Sequence, residues 1–331
     1  MTVFVNNPNW ISIPRFLARQ DTVIDQSTGL EWFRDASHLE FPMTWSEAFA
    51  SVRDINETAL FGHRDWRVPN RRELFSLISL EAINPSLPVG HPFHRVVSTY
   101  YWTSTSCSRL PDQAWYIHLG GARVFKGLKK ISYLLWPVRS AQPGRSAIIQ
   151  TGQCSCFTQT GEPINCRRTG QDGDYRTGRP WPEPRFLEQE GLVLDRLTGL
   201  TWTKMGHWTQ KTVSWKEAFR CIDELNAHQL KGLNTWRLPS IVELESLVDM
   251  EHHSPALPEG HPFDNVQDHY WSCTSSHYDV NYAWGLYLKD GALGVGFKPL
   301  QAFSVWAVSS SNLPKDGRLD AGSGGAGKSR S

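Results

Sequence analysis

Two stretches of this chain, about 170 residues apart, gather the side chains that could do chemistry. The first holds Ser106, Ser108, Arg109, Asp112, Gln113, Tyr116 and His118. The second holds Ser275, Ser276, His277, Tyr278, Asp279, Asn281, Tyr282 and Tyr287. These residue types suit recognition: Tyr offers contact area at low entropy cost, and Ser, Asn and Asp offer adaptable hydrogen bonds. Arg123, Lys126, Lys129 and Lys130 place four cations within eight residues, a cluster suited to the sulfate or carboxylate groups of a polyanion or to plain solvation. Patterns for catalysis are missing. The run Thr103-Ser104-Thr105-Ser106 has no Gly-x-Ser-x-Gly elbow, and there is no His-Glu-x-x-His zinc motif. The candidate ligand-binding residues are therefore Ser106, Arg109, Asp112, Tyr116, His118, Arg123, Lys126, His277, Asp279, Asn281, Tyr282 and Tyr287. No catalytic residue, metal ligand or cofactor is assigned.

The remaining reactive groups read as structural. Cys107, Cys221 and Cys273 stand singly. Cys154, Cys156 and Cys166 cluster around a turn at Thr160-Gly161-Glu162-Pro163. A bridge from Cys166 to Cys154 or Cys156 is expected in an oxidising compartment, and three reduced thiols otherwise. No histidine lies near enough to complete a zinc site. His91-Pro92-Phe93 and His261-Pro262-Phe263 read as loop anchors. Arg67 with Glu73, and Arg237 with Glu243, read as pairs tying a loop to the helix that follows.

The elements that must position these residues come twice. Thr28-Gly29-Leu30-Glu31-Trp32, Trp45-Ser46-Glu47-Ala48-Phe49, Trp66-Arg67-Val68-Pro69 and Trp136-Pro137-Val138 return as Thr198-Gly199-Leu200-Thr201-Trp202, Trp215-Lys216-Glu217-Ala218-Phe219, Trp236-Arg237-Leu238-Pro239 and Trp306-Ala307-Val308. The offset is 170, slipping to 169 at Trp102 and Trp271 as a one-residue deletion would cause. That period fits two whole domains rather than a solenoid. Each copy opens with two apolar runs around a Gly turn, a hairpin signature. Thr44 with Glu47 and Ser214 with Glu217 form capping boxes ahead of a first helix, and Asn70 with Glu73 and Ser240 with Glu243 head a second. A Pro-rich loop and antiparallel strands complete an α+β plan, in which the last strand can pair with the first. The domains span residues 15–140 and 185–310, joined by 141–184. The Gly/Ser-rich stretch 311–331 reads as disordered. Positions that share a backbone but not a side chain are where function is expected.

The net charge is +1, from 34 basic and 33 acidic residues, so no global field argues for nucleic acid or membrane. The copies differ: residues 15–140 carry 15 basic and 12 acidic side chains, residues 185–310 carry 10 and 15. No apolar run approaches the ~20 residues of a membrane-spanning helix. The first ten residues lack a basic segment followed by an apolar one. A cytoplasmic chain, a cleaved signal or another export route would each fit.

The order Thr-Gly-Leu-x-Trp, Trp-x-Glu-Ala, Trp-Arg-x-Pro-x-x-x-Glu-Leu, Tyr-Trp-x-x-Thr and Trp-x-Val resembles the Lcl C-terminal domain family in both copies. Cys273 enters the Tyr270-Trp271-Ser272-Cys273-Thr274 version. The resemblance implies a C-type-lectin-like fold, which also serves calcium-dependent lectins, hypervariable binding proteins and formylglycine-generating enzymes, so it leaves function open. It further implies a surface or secreted binding module of the bacterial cell envelope, some similar proteins binding sulfated polysaccharide. Lectin-type calcium ligands are missing from both copies, since Glu162-Pro163-Ile164-Asn165 lies between them. The paired thiols of formylglycine chemistry are missing too. The expected partner is a glycan or a protein, with no nucleic acid. A structural subunit of a larger assembly and, less favoured, an oxidase are the alternatives.

Overall fold

The computed structural model describes residues 14–142, 146–209 and 211–310. The first copy opens with an antiparallel meander, β1 (Phe16–Ala18), β2 (Thr22–Asp25) and β3 (Leu30–Phe33). Gly29 turns the chain between β2 and β3 at φ 74°, a conformation that glycine adopts without steric cost. Helix α1 (Trp45–Glu57) starts at the expected capping box on Thr44 and buries Trp45, Ala48, Phe49, Val52 and Ile55. Asn70 and Glu73 cap α2 (Arg71–Ser76) in the same way. Strands β4 (Tyr100–Ser106), β5 (Gln113–His118) and β6 (Arg123–Leu128) form a second meander. The run ending in Pro137 is not a regular strand; it makes single bridges to Met43 and Tyr101 before β7 (Val138–Ser140) begins. β7 pairs with β3 rather than with the opening strand, because β1 occupies the outer edge of β2 and leaves the edge of β3 open.

Between the copies lie β8 (Cys156–Phe157), β9 (Pro163–Ile164) and a single turn of helix, α3 (Asp172–Tyr175). The second copy repeats the order of the first: β10 (Phe186–Gln189), β11 (Leu192–Asp195), β12 (Leu200–Thr203), α4 (Trp215–Ala227), α5 (Ile241–Leu247), β13 (His269–Ser275), β14 (Tyr282–Tyr287), β15 (Ala292–Phe297) and β16 (Val308–Ser309). The chain is thus two tandem domains of mostly antiparallel sheet with five short helices among the described residues. The stretch 311–331 lies outside them.

The repeated residues build each core. Trp32, Trp66, Trp102, Trp136, Trp202, Trp271 and Trp306 are all fully buried. Arg15 and Arg185, also 170 apart, each bind an Asp of the opening meander (Asp25, Asp195) and donate to the last turn of the second helix of their copy at the carbonyl of Ser76 or Ser246. Arg67 pairs with Glu73 and Arg237 with Glu243, as the sequence suggested. His91 and His261 anchor their loops by packing on Phe93 and Phe263, at 5.8 and 5.9 Å between ring centroids. Burial lowers the pKa of both, which favours the neutral ring.

The two domains share a sheet. β6 and β15 occupy equivalent places in their copies and pair antiparallel at Val124 and Leu293, which are themselves equivalent at the 169 offset. A local two-fold axis therefore passes between these residues, and the two three-stranded meanders join into one sheet of six, ordered β13-β14-β15-β6-β5-β4. One apolar cluster runs across the seam, from Val23, Trp32 and Leu74 to Trp202, Leu244 and Trp306.

Two neighbouring arginines break the symmetry of this seam. Arg71 is buried, stacks 4.4 Å from the ring of Trp115 and donates across the seam to the carbonyl of Gly291. Burial brings its pKa down to about 10. Arg72, also buried, donates to both carboxylate oxygens of Glu245 at 3.1 Å and to the carbonyls of Glu245 and Val248 at 3.0 and 2.8 Å. One guanidinium thus closes the C-terminal end of α5, where unpaired carbonyls and the helix dipole favour a cation. The equivalent positions in the second copy are Ile241 and Val242.

Residues 146–184 are packed against both copies. Cys156 and Cys166 form the disulfide, one of the two pairings left open by sequence. The side chain of Gln153 bonds the main chain of Ser106 and the carbonyl of Met250, one in each copy. Glu251 accepts the amides of Cys154 and Ser155 at 2.8 and 2.9 Å. Asp172 is buried and accepts the hydroxyls of Thr105 and Thr151 at 2.6 and 2.7 Å. Burial outweighs those bonds and brings its pKa up to about 6.

Two predictions follow from this packing. Arg72→Ala strands a buried carboxylate and several carbonyls, and is expected to lower unfolding stability by about 3–5 kcal/mol; urea denaturation measures it, and a loss below about 1 kcal/mol contradicts the closing role. Because the pKa of Asp172 is raised on folding, its favourable contribution is complete below pH ~4 and is lost as pH rises through about 6. Asp172→Asn stays neutral throughout. Its stability relative to wild type should grow between pH 4 and pH 7 by on the order of 3 kcal/mol, as read from denaturation curves at each pH.

Candidate functional site

β6 and β15 share only the Val124–Leu293 pair, so they diverge on either side of it. A cavity of about 1010 Å³ opens around this contact and is lined by both copies. Its walls follow the alternation of a strand, in which every second residue faces the same way. Tyr116, His118, Arg123 and Phe125 on β5 and β6 oppose Tyr287, Ala292 and Gly294 on β14 and β15, with Tyr100 and His269 on the outer strands. The other parity and the adjoining loops supply Arg109, Lys126, Asp279, Tyr282 and Asp290.

The two halves carry the same pair of rings in exchanged places. In the first copy Tyr100 on β4 lies opposite His118 on β5, with ring centroids 4.5 Å apart. In the second, His269 on β13 lies opposite Tyr287 on β14, at 4.9 Å. Each half therefore offers an imidazole and a phenol from adjacent strands. His118 Nδ1 donates to the carbonyl of Gly120. Burial lowers the pKa of His269. Burial, together with Tyr133 and Tyr100, pushes Tyr116 up to about 12, so its phenol remains a donor at neutral pH.

Beyond the rings the halves differ in bulk. Tyr116, Arg123 and Phe125 of the first copy correspond to Gly285, Ala292 and Gly294 of the second. A β-carbon at Gly294 would lie 2.8 Å from the ring of Tyr287, and one at Gly285 would lie 2.6 Å from the ring of Phe303. These glycines let the aromatic rings lie close against the sheet. The second half is consequently a flat aromatic floor, while the first is a raised wall with an exposed guanidinium at Arg123. At the seam, Lys126 pairs with Asp290 and Arg109 stands 3.7 Å from the same carboxylate. Arg109, Arg123, Lys126 and Lys289 outnumber Asp279 and Asp290 around the cavity.

Eight of the residues expected from sequence line this cavity: Arg109, Tyr116, His118, Arg123, Lys126, Asp279, Tyr282 and Tyr287. Four lie elsewhere. Ser106 is buried, with its main chain held by Gln153. Asp112 sits beneath the turn at Gly161, where a β-carbon would come within 2.8 Å of its amide. His277 and Asn281 are exposed outside the cavity. The basic cluster also needs correcting. Lys129 is fully buried, 4.0 Å from the ring of Trp45, and donates to the carbonyl of Thr158. Burial brings its pKa down to about 7, so its amine belongs to the packed interior and not to a solvated polyanion patch. Tyr100, Phe125, His269, Lys289 and Asp290 were missed, while Tyr278, named within the second stretch, lines the cavity as well. Tyr100 and His269 sit at equivalent positions with unlike side chains, so comparing the copies one residue before Tyr-Trp would have found them.

The thiols are scattered. Cys107 is buried and burial raises its pKa, while Cys273 is exposed and away from the cavity. Among the described residues, no group of three or more His, Cys, Asp or Glu side chains is placed to hold a metal ion. No helix there is long and apolar enough to cross a membrane.

Two domains joined through a shared sheet, with a tyrosine- and arginine-lined cavity at their seam, define a tandem-domain architecture. The chain matches the Lcl C-terminal domain family at residues 21–139 and again at 191–309, and it belongs to that family. Comparison with the curated proteins returns no match.

Proposed function

We propose that this protein is a non-catalytic recognition module whose ligand, an anionic glycan, lies in the cavity at the seam. The supporting observation is the composition of that cavity. Tyrosine rings from both copies give flat surfaces on which sugar rings stack, and an excess of guanidinium and ammonium groups meets carboxylate or sulfate. Its volume suits a short oligosaccharide segment. An acidic protein segment satisfies the same groups and is the competing ligand. The arrangement of helices against antiparallel strands is consistent with a C-type-lectin-like scaffold, and the family membership with an adhesive role at the cell envelope. The alternative, a structural subunit of a larger assembly, draws on the difference in charge between the copies.

Arg123 and Tyr278 are both exposed at the cavity rim and carry little of the fold. Arg123→Ala with Tyr278→Ala is expected to reduce capture on an array of carboxylated and sulfated oligosaccharides at least tenfold, with an unchanged melting temperature. Undiminished capture, or capture of neutral sugars alone, removes the assignment. Capture only of acidic peptides transfers the site to a protein ligand.

A further inference from the structure

The segment between the copies covers one face of the first domain, and among the described residues the same face of the second domain is bare. In the first copy, Lys129 is held between the rings of Trp45 and Phe157, at 4.0 and 5.7 Å, and donates to the carbonyl of Thr158. The hydroxyl of Ser46 donates to Gln159, and Thr105 donates to the carboxylate of Asp172. Gly170 passes so close to Phe49 that a β-carbon would lie 3.2 Å from its ring. The result is burial of the centre of this face: Phe49 is 7 % exposed, and Ser104, Thr105 and Ser106 are 2, 0 and 0 %.

The second copy has the receiving half of these contacts except at the position of Ser46, which holds Lys216. Lys298 stands 4.2 Å over Trp215, as Lys129 does over Trp45, and its amide takes the carbonyl of Asn281 as that of Lys129 takes Asp112. Thr274 accepts the amide of Ile241, as Thr105 accepts that of Arg71. No segment lies over them among the described residues. Phe219, the counterpart of Phe49, is 37 % exposed; Val280, at the position of Pro111, is 70 % exposed. Cys273 and Ser275 are exposed where Ser104 and Ser106 are buried. Lacking an outside acceptor, Lys298 turns to Ser275 and to the carbonyl of Val280, both at 2.7 Å. Residues 311–331 contain no aromatic side chain to serve as a second Phe157.

We propose that this face of the second copy, centred on Trp215, Phe219, Cys273, Thr274 and Lys298, docks a hairpin segment of a partner polypeptide. The partner's chemistry is given by the segment that fills the equivalent face of the first copy: an aromatic ring over the lysine, a main-chain carbonyl for its ammonium and a carboxylate for the threonine hydroxyl. A hairpin closed by a disulfide presents these groups at low entropic cost. None of the five residues lines the seam cavity, so this surface is independent of the glycan assignment.

The probe is a disulfide-closed, fluorescein-labelled peptide with the sequence of residues 153–175 and serine at position 154, titrated with the full chain. Saturable binding is expected, weakened at least tenfold by Lys298→Glu or Phe219→Asp and unaffected by Arg123→Ala. In a Cys154→Ser, Cys221→Ser background, bound peptide should slow maleimide labelling of Cys273 at least threefold. Absence of saturable binding, equal binding to both variants or unprotected Cys273 overturns the proposal. Self-association of the chain that Lys298→Glu abolishes also overturns it, in favour of a second copy as occupant.

Discussion

Arg72 holds the molecule together at a place where its two halves are not alike. Its guanidinium meets a carboxylate and several main-chain carbonyls at the end of α5, all out of water. A buried cation is unfavourable unless every donor finds a partner. Here the partners come from the opposite copy and, through the carbonyl of Gln150, from the joining segment. The three pieces are therefore fixed relative to one another. The Arg71–Gly291 and Lys126–Asp290 contacts and the apolar cluster across the seam hold the cavity walls in the same relation.

The seam has the geometry of a two-fold dimer contact, in which the same strand edge is used twice. Fusing the halves in one chain relaxes the constraint that symmetry imposes on a dimer. In a homodimer every substitution occurs on both sides. In this chain Arg71 and Arg72 face a second copy that has Ile241 and Val242 in their places, and Tyr116 and Phe125 have become Gly285 and Gly294. The joining segment exploits the same freedom, since it can cover one face and not the other.

Much of the fold was legible because it rests on local rules. Capping boxes at Thr44, Asn70, Ser214 and Ser240 marked four helix starts correctly, and the Trp lattice marked the core. The site was partly legible because unlike side chains on like backbones point to faces freed from packing. Ser106, Asp112 and Lys129 were misplaced for another reason, since Ser106 and Lys129 have the same residue in the second copy (Ser275, Lys298). All three lie under the joining segment, and nothing in the local sequence says where a remote segment will fold back. The contact of β6 with β15 was invisible for a related reason: an exposed strand edge has no composition that announces its partner. Tyr100 and His269 precede the repeated Tyr-Trp motif, while the rest of the cavity lining follows it in each copy.

The exchange of the Tyr–His pair between adjacent strands has a further consequence. Under true two-fold symmetry, a chain-like ligand crossing the seam would meet the same groups in either direction and bind both ways with equal energy. Here one end of its path passes a raised wall with a guanidinium and the other a flat aromatic floor. A polymer lying across them would have a preferred polarity, and one of its termini would always be presented on the same side of the molecule.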